Sequence, residues 1–205
     1  MTKNKNSKQR ILEMAQREFA AHGFAGARME RIARAADINK AMIFYYFSSK
    51  RELYRTLIKS ALADLVPRIQ KAVILSDTPG MFFEKVPEIY LRHFSRNPEF
   101  IRMVGFEVIR APQNIAPLIS EVFADFPNPP TRLLPRVIRT WHEQGLISES
   151  DPVDFILNII SLCVFSIIAT PVVEAILDIE IPDYDAYIEQ RIQSISNLLK
   201  KGMLI

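Results

Sequence analysis

Cysteine is almost missing from this chain of 205 residues, in which Cys163 is the single example. One thiol excludes an internal disulfide framework and any zinc site built from several cysteines. A single cysteine fits a reducing compartment, and residues 1–10 are polar, without the apolar core of a secretory signal. These features predict a cytoplasmic protein.

Groups of residues typical of catalysis are also lacking. The three histidines, His22, His93 and His142, are isolated, and none is followed three or four residues later by a second metal ligand. There is no glycine-rich phosphate loop, and no serine lies in the spacing of a nucleophile elbow. We therefore expect a protein that is not an enzyme and that holds no metal or cofactor.

Strand patterns are scarce, because no segment alternates apolar and polar residues for long. Helical periodicity, prolines and caps predict an all-α chain instead. Helices are expected at residues 7–22, 29–36, after Asn39, and at 50–75, 80–96, 98–110, 115–126, 131–144, 152–179 and 183–201. Pro67 lies inside the fourth of these patterns and should kink or break it.

Positive charge is concentrated at one end of the chain. Residues 1–59 hold 13 of the 26 Lys and Arg residues and 5 of the 23 Asp and Glu residues, a net charge of +8. The remaining residues hold 13 and 18, a net charge of −5. This asymmetry indicates a polyanionic partner for the first part only.

Two short helical patterns occupy this basic part, with one tight break between them. Met29, Ile32, Ala33 and Ala36 fall on one face of the first pattern. Asn39 is a good N-cap for the second. A turn of three or four residues between two helices is typical of a helix-turn-helix.

The second of these helices has an unusual outer face. Ile43 and Phe47 are four residues apart and share a buried side, so the other positions cannot all be buried behind them. Those positions carry an ammonium group and several aromatic rings, at Lys40, Met42, Phe44, Tyr45 and Tyr46. Such a surface suits phosphate oxygens, sugar edges and thymine methyl groups, as a DNA-recognition helix requires.

The first 55 residues resemble the DNA-binding domain of the TetR family of bacterial transcriptional regulators. The matching positions are Arg10-Ile11-Leu12, Phe19, Gly23-Phe24, Ile32-Ala33, Asn39-Lys40-Ala41, Ile43-Phe44-Tyr45-Tyr46-Phe47, Lys50 and Glu52-Leu53. The resemblance implies a three-helix helix-turn-helix domain at residues 1–50. Residues 51–205 would then form a helical bundle for effector binding and dimerisation.

The resemblance assigns DNA contacts to specific residues of this chain. Lys40, Lys50 and the hydroxyls of Tyr45 and Tyr46 would hold phosphates, while Ala41, Met42 and Phe44 would meet base edges. The family usually has Thr or Ser where this chain has Ala27-Arg28, so a hydroxyl cap is lost and Arg28 replaces a phosphate contact. Phe44 stands where the family usually has Tyr, which removes one hydroxyl contact.

An uncharged run from Phe155 to Val173 is the longest apolar segment. A membrane span is the obvious alternative, but Asn158, Ser161, Ser166, Thr170 and Pro171 interrupt the run, and no Lys or Arg flanks it. We therefore expect a buried helix, covered in part by a partner subunit. The resemblance implies that the last two helices form the homodimer interface.

These observations predict a ligand-responsive transcriptional regulator, most simply a repressor. It would bind a palindromic operator as a homodimer and leave it when a small, lipophilic effector binds. The resemblance implies an effector cavity in the body, for which the candidates are Phe94, Met103, Phe106, Phe123 and Trp141. The alternative is a helical small-molecule- or lipid-binding module whose basic head contacts membranes.

Overall fold

Helices make up the regular structure of the chain. A computed structural model describes the backbone of residues 2–205 and the side chains from Ser7 onward. Within that part, the helices are α1 (Thr2–Gly26), α2 (Met29–Ala35), α3 (Lys40–Phe47), α4 (Lys50–Leu75), α5 (Pro79–Ser95), α6 (Pro98–Arg110), α7 (Pro112–Ala124), α8 (Pro130–Glu143), α9 (Pro152–Leu177) and α10 (Tyr184–Met203). The sole bridge between extended residues there joins Ile147 to Leu204. The predicted all-α fold is confirmed.

Local capping signals set most of the helix ends. The Asp151 carboxylate accepts a hydrogen bond from the Val153 N–H at 2.7 Å, where α9 begins. Asp183 does the same for the Ala186 N–H at 2.9 Å, where α10 begins. Helix α4 runs without a break through Pro67, and the alternative of a kink there stays a prediction.

The chain folds into two compact units. The first comprises the residues up to Ala63 together with Glu99–Asp125, and the second comprises Asp64–Pro98 together with Phe126–Ile205. The first unit thus adds α6 and α7 to the three N-terminal helices. A functional boundary between residues 50 and 51 stays a prediction.

Contacts between α4 and the pair α6–α7 hold the first unit together. The buried Tyr54 hydroxyl donates a hydrogen bond to the Met103 carbonyl at 3.2 Å. Salt bridges on the surface also link these helices, namely Arg51–Glu121 at 2.7 Å, Lys59–Asp125 at 2.8 Å and Arg55–Asp125. Exposed ion pairs contribute little individually, so apolar burial supplies most of the stability of the unit.

A sharp corner interrupts α1 at Gly23, three residues before the helix ends at Gly26. Its backbone has φ +66° and ψ 176°, a region that is essentially restricted to glycine. A Cβ atom here would lie 2.1 Å from Cε1 of Phe106 and 2.9 Å from Oε1 of Glu107. The corner therefore requires glycine for its conformation and for its close approach to α6.

Aromatic rings dominate the core of the second unit. The ring of Phe82 lies 5.5 Å from that of Trp141, and the ring of Phe83 lies 5.6 Å from that of Phe155. Helices α5, α8, α9 and α10 meet around this cluster. Cys163 is buried there, and burial raises the pKa of its thiol to about 12, as expected for an unreactive core cysteine.

One side of α9 is buried and the other is exposed in the single chain. The inward residues recur at helical spacing and are Phe155, Ile159, Cys163, Ile167 and Thr170. By length and composition, α9 is the one helix of the described chain that could cross a membrane, with a mean hydropathy of 2.4 over 18 residues, of which 17% are buried. Burial on all sides is therefore not found within one chain.

We predict that Gly23→Ala lowers the free energy of unfolding by about 2 kcal/mol or more, because it adds backbone strain and a steric clash. Chemical denaturation of the purified protein measures this loss. Gly105→Ala is the matched control, since no atom lies within 4 Å of its added methyl group. As Gly105 lies inside α6, this control should gain about 0.5–1 kcal/mol. An equally stable Gly23→Ala protein would contradict the steric argument.

Candidate nucleic-acid interface

Residues 36–39 join α2 to α3 in a tight turn. Asp37 adopts a left-handed conformation with φ +51°, and the Ile38 N–H donates to the Ala33 carbonyl at 3.0 Å. The Arg10 guanidinium donates to the Ala36 carbonyl, so α1 also holds the turn. Together these bonds give α2 and α3 the relative arrangement of a helix-turn-helix.

Helix α3 is capped at its start and anchored by two side chains. The Asn39 side-chain oxygen accepts a hydrogen bond from the Ala41 N–H at 2.9 Å. Ile43 is fully buried and Phe47 is 3% exposed. The four-residue spacing of these two residues leaves the rest of the short helix facing outward.

The outward side carries most of the residues predicted to contact DNA. Tyr45 is 75% exposed and Phe44 is 41% exposed. Lys40 and Ala41 are also exposed, while Met42 and Tyr46 are half-buried. The rings of Tyr45 and Tyr46 meet edge to face, with their centroids 5.3 Å apart. The helix thus presents aromatic and hydroxyl groups over a surface that solvent can reach.

The Lys40 ammonium group already has partners in the free protein. It donates to the Glu30 carboxylate and lies 5.7 Å from the centre of the Phe44 ring. The hydrogen bond from Lys40 is the main reason that the pKa of Glu30 lies below its ordinary value. Both groups are exposed, so a DNA phosphate could replace the carboxylate at the ammonium group.

Arg28 sits at the start of α2, where the sequence lacks a hydroxyl cap. Its exposed side chain makes no cap. Instead, Glu18 of α1 accepts from the Arg28 N–H at 2.9 Å and from the Arg31 guanidinium at 2.6 Å. Burial acts to raise the pKa of Glu18, but these two hydrogen bonds leave it below the ordinary value. A carboxylate from another helix thus takes the part of the glutamate in a capping box.

Lys50 is placed differently from an exposed phosphate ligand. Its ammonium group lies 4.9 Å from the centre of the Phe24 ring and 3.3 Å from the Ala25 carbonyl oxygen, to which it donates. Partial burial lowers the pKa of this lysine. Its predicted contact with phosphate stays a prediction, and it requires the ammonium group to reorient.

Comparison with known proteins agrees with this geometry. The family description "Bacterial regulatory proteins, tetR family" matches residues 11–57, and "Tetracyclin repressor-like, C-terminal domain" matches residues 79–198. The second match alone spans more than half of the chain. This chain belongs to the TetR family.

Two similar proteins are named as transcriptional repressors. The HTH-type transcriptional repressor SCO4008 of Streptomyces coelicolor is 36% identical over 101 residues, which span 49% of this chain and 49% of that protein. The HTH-type transcriptional repressor NicS of Pseudomonas putida is 25% identical over 200 residues, which span 94% of this chain and 90% of that protein. The chain thus spans about half of the length of one relative and most of the other. The predicted family is confirmed.

A solved structure extends the likeness to the whole fold. A Clostridium perfringens protein described as a fatty acid metabolism regulator has a TM-score of 0.73 and 21% identity. The match covers 96% of this chain and 99% of that protein. At this identity, the likeness supports the fold alone. TetR-family regulators bind DNA operators and dimerise, so both partners are expected here.

The five body residues predicted to line an effector site are divided between the two compact units of this TetR-family chain, and their role stays a prediction. Phe94 and Trp141 belong to the second compact unit, and Met103, Phe106 and Phe123 belong to the first. None of the five lines the cavities described below. Among side chains 7–205, no three His, Cys, Asp or Glu residues converge in a way that could hold a metal ion.

Sequence reasoning missed the contacts of Glu18 and Arg10, which hold the helix-turn-helix together. Glu18 lies 10 residues from Arg28, and Arg10 lies 26 residues from Ala36. Neither spacing matches a helical repeat or a capping motif, so no local signal marks these contacts. Their roles depend on how α1 packs against α2.

We predict that Ile43→Ala lowers the free energy of unfolding by about 2–5 kcal/mol, because it leaves a cavity beneath α3. Tyr45→Ala, two residues along the same helix, should change it by no more than about 0.5 kcal/mol, since that ring is exposed. Chemical denaturation of both variants tests the assignment of inner and outer faces. Equal losses would refute it.

Proposed function

We propose that this TetR-family chain is a ligand-responsive transcriptional repressor of the bacterial cytoplasm. It binds a palindromic operator as a homodimer and releases it when a small lipophilic effector binds. The observation that carries the proposal is the anchoring of α3 by Ile43 and Phe47, which leaves its aromatic and cationic groups exposed. The two relatives named as repressors favour repression over activation.

Helix α3 enters the major groove in this proposal. Ala41, Met42 and Phe44 meet base edges, where apolar groups suit thymine methyls. Lys40, Arg28 and the hydroxyls of Tyr45 and Tyr46 hold phosphates and so set the register of the helix. The net charge of +8 over residues 1–59 supports attraction to the duplex before docking.

The apolar outer side of α9 and α10 is the proposed dimer interface. Phe165 is 66% exposed, Ile176 is 74% exposed and Leu198 is 55% exposed in the single chain. Large apolar patches on soluble proteins usually mark interaction sites. A twofold dimer suits a palindrome, because its two heads can read half-sites about 34 Å apart.

An effector site is proposed in the core of the second unit. A cavity of about 20 Å³ lies among apolar side chains, with Phe82, Leu134, Phe155 and Ile159 in its walls and Tyr90 as a polar group. Burial raises the pKa of the Tyr90 phenol, which therefore stays protonated and can donate one hydrogen bond. These walls suit a lipophilic effector, and its entry must enlarge the cavity.

A gel-shift assay with the DNA that flanks its own gene tests operator binding. Several phosphate contacts predict a fall in affinity of about a thousandfold between about 50 and 200 mM salt. Tyr45→Phe should weaken the operator complex about ten- to a hundredfold, because each of the two heads loses one hydrogen bond. Lys40→Ala should reduce the salt slope by about two units, about one for each subunit.

Arg139→Ala is the control for the DNA experiment, since it removes an exposed cation of α8 outside the proposed interface. It should leave the affinity and the salt slope as in the unchanged protein. Absence of a specific complex at low salt would reject the proposal. If the protein forms no DNA complex but floats with anionic vesicles, the membrane-contacting alternative would be favoured.

We predict that Phe165→Glu yields a folded monomer, because a carboxylate cannot be desolvated at an apolar interface without large cost. Sedimentation velocity measures the change in mass, and operator affinity should fall with it. Ile74→Glu is the matched control, since it places the same charge on an apolar position of α4 that is 62% exposed. A Phe165→Glu protein that stays dimeric would place the interface elsewhere.

A further inference from the structure

Glu107 is a buried carboxylate that links two parts of the first unit. It lies on α6 and is 5% exposed. Its Oε1 accepts a hydrogen bond from the Phe24 N–H at 2.7 Å, across 83 residues of sequence. Phe24 directly follows the corner at Gly23, near the end of α1, so this bond connects the helix-turn-helix part to α6.

The corner is shaped to bring this carboxylate close. Gly23 has no Cβ, and a Cβ there would lie 2.9 Å from Oε1 of Glu107. The φ of +66° at Gly23 turns the next N–H toward α6. The Phe106 ring fills the remaining space, since its nearest carbon would lie 2.1 Å from the same Cβ. Gly23 thus provides the space at this contact, and Glu107 provides the hydrogen-bond acceptor.

The surroundings allow the bond to form and break without repacking the core. A cavity of about 390 Å³ lies beside the carboxylate, lined by Phe24, Arg51, Tyr54, Glu107, Asn114 and Leu118. The Glu107 side chain has room to turn into it. Tyr54 is held separately by its hydrogen bond to the Met103 carbonyl, so that contact between α4 and α6 survives loss of the bond.

We propose that Glu107 is a positioning residue for operator binding, resting on the function proposed above. Its bond to the Phe24 N–H fixes the α1–α2 corner against α6 and thereby sets the direction in which α2 and α3 face DNA. One head can adjust to a single half-site. Two heads must dock at the same time at a fixed spacing, so loose heads bind a full palindrome less well.

Two substitutions separate positioning from folding. Glu107→Ala removes the acceptor, while Glu107→Gln keeps a side-chain oxygen that can accept from the Phe24 N–H. Glu121→Gln is the matched control, because it weakens a surface salt bridge of the same unit, to Arg51, and leaves the corner intact. Thermal unfolding of all three dimers checks that each is folded at the temperature used.

Hydrogen exchange at the Phe24 amide is the first measurement, and it needs no DNA. Exchange should be faster in Glu107→Ala than in the unchanged protein, with protection largely restored in Glu107→Gln and unaltered in Glu121→Gln. Equal protection in Glu107→Ala would overturn the proposal, because the bond would then not hold the corner.

Affinity for the full palindrome and for an isolated half-site is the second measurement. Glu107→Ala should lose about tenfold on the palindrome, within the range of typical coupling between sites, and less than about twofold on the half-site. Equal losses on both would indicate a general structural defect and overturn the positioning role, as would unchanged palindrome affinity. If the unchanged protein binds no operator, the function proposed above fails, whatever the exchange result.

Discussion

The glycine corner near the end of α1 is the constraint on which the first compact unit depends. A side chain at position 23 would collide with Phe106 and Glu107, and the backbone there adopts a conformation that other residues avoid. Because Gly23 has no side chain, α6 approaches closely enough for the buried Glu107 carboxylate to accept a hydrogen bond from the Phe24 N–H. Helices α6 and α7 therefore join the helix-turn-helix in one unit, although they are distant in sequence.

Several charged side chains of this unit already form ion pairs, hydrogen bonds or a contact with an aromatic ring in the free protein. Lys40 pairs with Glu30, Glu18 serves both Arg28 and Arg31, and Lys50 lies over the Phe24 ring. These contacts hold the side chains in defined places at little cost in solvation. In the proposed function, a DNA phosphate replaces a carboxylate at the exposed pairs, whereas the Lys50 ammonium group first leaves its partly buried position.

Much of the helical order could be predicted from local signals. Prolines and caps mark where α6 and α9 begin, and the predicted ends of α6, Pro98 and Arg110, coincide with those observed. The outward face of α3 follows from two apolar residues four apart. Helix α4 continues through Pro67, so the predicted break is not found, while the alternative of a kink stays a prediction.

Contacts between distant segments could not be predicted in this way. The Glu107–Phe24 bond and the partly buried placement of Lys50 depend on how helices pack, which no periodicity encodes.

In α3, the residues that pack against the fold differ from those that form the exposed surface, and this separation affects how such regulators diversify. Two of its eight residues, Ile43 and Phe47, attach the helix to the fold, and the Asn39 cap lies outside it. The four exposed residues, Lys40, Ala41, Phe44 and Tyr45, can vary with little penalty in stability. New sequence preferences could therefore arise by successive single changes, each leaving a foldable intermediate, so that gene duplicates could part ways without first acquiring stabilising mutations.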